Sequence, residues 1–142
     1  MNAPTYTIDI LRLAASLEGP TPLKRVDGLA ELRSPTCGST IHTEVMVDGD
    51  GRLEVLSQDV TACAFGQAAA ALVARGAIGA TYDSVEGALA ELGAWLTGER
   101  GDPGSWPGLD ALAPARSKRG RHGAIILPFR ALAAALAERR DG

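Results

Sequence analysis

The order of periodicities along this chain predicts an α+β fold, with a small antiparallel sheet of about three strands and helices packed on one face. Three observations carry that expectation. Apolar residues recur at helical spacing near the N-terminus and again through the second half, while the stretch between them alternates with period two. Asp48-Gly49-Asp50-Gly51 divides the alternating stretch into two arms, and glycine accepts the positive φ that tight hairpin turns demand. Alanine is abundant and aromatics make up only 4%, so the helices are expected to pack closely through small side chains.

Thr7 is placed to cap a helix from Ile8 to Glu18, with Ile10, Leu13, Ala14 and Leu17 on one side and Gly19-Pro20 ending it. Leu29 to Arg33 reads as a short strand. The Pro and Gly of Ser34-Pro35-Thr36-Cys37-Gly38 make a turn. After it, Ile41, Thr43, Val45 and Val47 point one way and His42, Glu44 and Met46 the other. On the returning strand Leu53, Val55 and Ser57 are expected to share a face. Thr61 is the expected cap of a helix through Phe65, Ala68, Ala69, Leu72 and Val73 that ends at Gly76. Asp83 and Glu86 form a capping-box pattern before a further helix closed by Gly98. Pro128 suits the first turn of the last helix.

The 142 residues suit one domain over 1–142, with 98–121 a flexible loop rich in Gly, Pro and basic residues. A formal charge of −3 argues against nucleic acid, since only the run from Arg116 to His122 is basic. No apolar run reaches the ~20 residues of a membrane span, and the first residues lack a basic leader, so the expected setting is cytoplasmic. No Walker loop, HExxH, GxSxG or GxGxxG occurs. A Cys37–His42 nucleophile pair would be separated by more than ~10 Å on an extended strand. The chain is therefore not expected to be an enzyme. Trp95 reads as core and Trp106 as a loop anchor.

Chemistry is expected at the two cysteines. Cys37 precedes one arm of the hairpin and Cys63 follows the other, and arms of similar length return the second to the end of the sheet where the first began. A thiol in the first turn of a helix meets free backbone N–H groups and the positive end of the dipole, which favours thiolate, the form that binds soft metals and accepts sulfur. Against this, free cysteines commonly serve as small buried hydrophobes.

Taken in order, Ser-Pro-Thr-Cys37-Gly-Ser-Thr, the Asp-Gly-Asp-Gly turn and Val-Thr-Ala-Cys63-Ala-Phe-Gly-Gln-Ala-Ala-Ala resemble the NifU-like scaffold family, which includes the IscU and SufU proteins. The resemblance runs from about Leu29 to Leu96 and resumes in the last helix. It implies a scaffold or carrier role in iron–sulfur cluster assembly, with a transient [2Fe-2S] cluster, iron or persulfide sulfur as cargo. A cysteine desulfurase, iron–sulfur acceptor proteins and a chaperone are the implied partners. Cys37 and Cys63 match the family's first two cysteines. The family's aspartate is Ser39 here. Its third cysteine falls at Ala124, or at Gly123 with a shift of one residue, and His122 beside it is a candidate ligand. Leu112-Ala-Pro-Ala-Arg116 is similar to the segment read by the family's chaperone. Two alternatives remain: a zinc-binding sulfur acceptor that stimulates a desulfurase, and a metal-free interaction module. His42 is read as exposed, and the basic run as a solvated loop or a surface for an acidic partner.

Overall fold

Thr7, extended at φ −81°, accepts a hydrogen bond from the Ile10 N–H and opens helix α1, Ile8–Ser16. The computed structural model describes residues 6–35 and 38–138. Ile10 and Leu13 are the buried face of α1. Strands β1 (Gly28–Arg33), β2 (Thr40–Val47) and β3 (Leu53–Thr61) follow and form one antiparallel sheet in the order β1-β2-β3. Helices α2 (Ala64–Gly76), α3 (Tyr82–Leu96) and α4 (His122–Ala137) complete the α+β fold. No helix among the described residues is long and apolar enough to cross a membrane.

The hairpin between β2 and β3 forms at the Asp-Gly repeat. The Asp48 carboxylate accepts from the Asp50 and Arg52 N–H groups, and Gly51 takes φ +78°. One expectation for β3 is corrected. Met46 pairs with Val55 but Val47 pairs with Leu53, so Glu54 is an extra residue. That irregularity turns Leu53 inward, 1% exposed, away from the face of Val55 and Ser57.

Three helix starts also differ from the sequence expectation. Cys63, not Thr61, is the N-cap of α2. The capping box of α3 is Thr81 with Ser84, two residues before the Asp-Glu pattern. Helix α4 begins at His122 and carries Pro128 in its interior, where the missing N–H leaves the Ala124 carbonyl without its i+4 donor. The segment 98–121, expected to be a flexible loop, holds a 3-10 helix at Leu109–Ala115 whose Leu109, Leu112 and Ala115 are buried. Trp106 secures it. Its indole N–H donates to the Leu72 carbonyl at 2.9 Å, and its ring meets Phe129 edge-on.

The core lies between the sheet and α2 and α4. Ala68 to Ala71 are buried along α2, and Gly28 of β1 lies so close to the Ala135 carbonyl of α4 that no side chain would fit. Small residues therefore set the helix–sheet separation.

Candidate functional site

Arg33 pairs with Thr40, and Thr40 with Thr61, so one end of the sheet gathers the 34–39 loop and the entry to α2. The loop closes on itself: the Ser34 N–H donates to the Ser39 carbonyl at 2.8 Å and the Gly38 N–H to the Ser34 carbonyl at 3.1 Å. Gly38 holds φ +72°, the left-handed region that favours glycine. Ser39 is buried, only 3% exposed. Thr36 and Cys37 lie outside the described residues, so the pairing expected between Cys37 and Cys63 rests on the described chain to either side.

Cys63 is a free, half-buried cysteine with extended backbone, and its side chain makes no capping hydrogen bond. Its carbonyl accepts from the Gln67 N–H, while the Gln67 side chain donates to the Ala62 carbonyl at 3.0 Å. Gly66 brings α4 alongside. A Cβ there would stand 2.7 Å from the Ala62 Cβ and 3.3 Å from both the Cβ and carbonyl oxygen of Ala124. The first turns of α2 and α4 thus touch beside Cys63.

Three consecutive residues of α4 meet three different surroundings, as successive side chains diverge by about 100° on a helix. His122 turns toward the end of α3. Its Nε2–H lies 2.9 Å from the Ala115 carbonyl oxygen and 3.1 Å from that of Arg116. Two acceptors around Nε2 assign the hydrogen to it and leave the lone pair of the neutral ring on Nδ1. Gly123 shares a cavity of about 200 Å³ with Arg33, Ser34, Pro35 and Arg130. Ala124 is 1% exposed and packed against Gly66. Of the two positions matched to the third cysteine, Gly123 is the one that faces the 34–39 loop. Sequence reasoning missed Arg33 and Arg130 at this cavity, because neither belongs to the matched motifs.

Among the described residues no three of His, Cys, Asp and Glu come together so as to hold a metal ion. On the open face of the sheet, His42 lies between Glu31, 2.8 Å from Nδ1, and Glu44, 2.7 Å from Nε2. The hydrogen bond to Glu44 and then that to Glu31 raise its pKa above the ordinary 6.5.

No family model matches the chain. No curated protein matches it. Solved structures do. A nitrogen-fixing NifU-like protein (N-terminal) from Brucella abortus is 29% identical, with 95% of this chain and 94% of that one covered and a TM-score of 0.87. A protein of Fervidobacterium islandicum AW-1, described as a prospective iron–sulfur cluster assembly scaffold for the SUF system, is 18% identical. Coverage is 93% and 96%, and the TM-score is 0.76. A hypothetical protein is 19% identical over 91% and 94%, with a TM-score of 0.69. The last two likenesses speak for the fold alone, whereas the first adds sequence identity over nearly the full length of both chains. Together with the cysteine contexts and the order of elements, these findings bear out the chain's resemblance to the NifU-like N-terminal proteins, in sequence and fold to the first of these structures and in fold to the second.

Proposed function

We propose that this protein is a scaffold or carrier in iron–sulfur cluster assembly, taking sulfur from a cysteine desulfurase and delivering its cargo to acceptor proteins. The observation that carries the reading is the convergence at one end of the sheet of the 34–39 loop, the Cys63 cap of α2 and the first turn of α4. Cys37 and Cys63 act as the sulfur ligands and acceptors. Ser39 is buried and His122 spends Nε2 on backbone carbonyls, so only Nδ1 of His122 remains as a further nitrogen donor. Thiolates bind iron and zinc alike, and a site with few donors holds its cargo loosely. Looseness suits a carrier, because cargo must leave. Thiol ligands also need reducing surroundings, which fits the cytoplasm.

Ser39 in place of the family's aspartate, and Gly123 or Ala124 in place of its third cysteine, favour a second reading, a sulfur acceptor that holds zinc or no metal and never a full cluster. One experiment separates the two. Protein purified without oxygen is assayed for iron and zinc, then reconstituted with iron and sulfide. A scaffold develops visible cluster absorbance that Cys37→Ala and Cys63→Ala each abolish. A zinc-bound sulfur acceptor carries about one zinc per chain instead. Neither metal nor cluster under any condition would refute the assembly reading.

A further inference from the structure

We propose that the basic rim around the first turn of α4 is a docking surface for an acidic peptide segment of a partner protein. The proposal rests on charge and shape and stands apart from cargo binding.

The chain has seventeen acidic and fourteen basic residues, yet five of the basic ones (Arg116, Lys118, Arg119, Arg121 and Arg130) fall in a stretch with no Asp or Glu between Asp110 and Glu138. Three of them, Arg116, Arg119 and Arg130, line two cavities that also hold His122 and Gly123 of the first turn of α4. The larger, about 550 Å³, is lined by Arg116, Ser117, Arg119 and His122 together with the end of α3. The smaller, about 200 Å³, is lined by Arg33, Gly123 and Arg130.

Two arginines outside this region are neutralised by neighbouring carboxylates. Arg25 pairs with Asp27, and Arg100 with Asp102 and Glu91. Among the described residues, Arg119, Arg121 and Arg130 pair with no carboxylate. Arg116 is committed elsewhere: it donates to the Trp95 carbonyl at 3.0 Å and lies over the Trp95 ring. Arg33 borders the smaller cavity on one side and Glu31 and Asp59 on the open sheet face on the other. Arg119 at the larger cavity and Arg130 at the smaller are both exposed and have no carboxylate partner among the described residues.

Their position opposes the local field. Cations are favoured at helix C-termini, but Arg119 and Arg121 sit at the positive end of α4, whose first turn has no acidic residue and no side-chain cap. An incoming carboxylate satisfies the guanidinium groups and is favoured by the positive end of the helix, and Arg binds carboxylate through two parallel hydrogen bonds. An extended acidic segment crossing this turn reaches both cavities, whereas the acidic remainder of the surface repels it and so defines where it lands.

The probe is fluorescein-labelled hexaglutamate, followed by fluorescence anisotropy on the full chain in the absence of metal. Binding is expected at about 20 mM salt and is expected to weaken several-fold at about 150 mM. The double variant Arg119→Gln/Arg130→Gln should weaken it about tenfold. Arg12→Gln/Arg52→Gln, which removes two exposed cations elsewhere, should leave it unchanged. All four side chains are solvent-facing, and circular dichroism checks that both variants fold. Absence of binding at low salt, equal loss in both double variants, or tighter binding of a single-stranded hexanucleotide would each overturn the proposal. Failure of cluster reconstitution would leave it standing.

Discussion

His42 combines two carboxylates on neighbouring strands with a position only about one-third exposed. The register that places Glu31 opposite His42, with Asp59 opposite on the other side, surrounds the imidazole with negative charge, and Arg33 is the nearby cation on the same face. A raised folded pKa means that the protonated imidazole is held more tightly in the folded chain than in the unfolded one. Its stabilisation is complete below the unfolded value of 6.5 and is lost as the pH rises through the higher folded value. Urea denaturation is expected to show greater stability near pH 6 than near pH 8, and Glu44→Gln should reduce that difference more than Glu31→Gln. Titration of the imidazole protons by NMR checks the same point, since both variants should bring the His42 pKa back toward 6.5. Alternation alone placed His42 and Glu44 on one strand face. Glu31 was illegible there, because cross-strand neighbours follow from register rather than from proximity in sequence.

Helix α4 shows what glycines do in packing. Gly28 has the Ala135 backbone against it, so Gly28→Ala must push α4 off β1, with an expected loss of roughly 1–3 kcal/mol. Gly87, exposed within α3, meets nothing within 4 Å. There Gly87→Ala should stabilise by about 0.5–1 kcal/mol through helix propensity. Midpoints of urea unfolding for the two variants should therefore move in opposite directions. The start of α4 escaped sequence reading because Pro128 is a strong first-turn signal, and basic residues before it resemble a loop. Burial of Ala124, Ile125 and Leu127 is what extends the helix N-terminally past that proline. Tertiary packing outweighed local preference.

The connection 98–121 ties the fold together through Trp106. Removing its N–H with Trp106→Phe takes away the hydrogen bond to the Leu72 carbonyl and should cost about 0.5–1.5 kcal/mol, measured by urea denaturation. Gly76 permits this contact, since a Cβ there would reach within 2.8 Å of the indole ring. From the amino-acid order alone came the α+β class, the three-stranded hairpin sheet, the first helix with its Thr7 cap, and the two cysteine contexts with their family likeness. Those features depend on residues close in sequence, through periodicity, turn chemistry and capping. Tertiary structure alone decided that Gly123 rather than Ala124 faces the 34–39 loop, that His122 turns to the Ala115 and Arg116 carbonyls, and that Arg33 and Arg130 share a cavity. Each depends on how α4 is rotated against the sheet and α2, and that rotation is set by contacts between residues far apart in the chain.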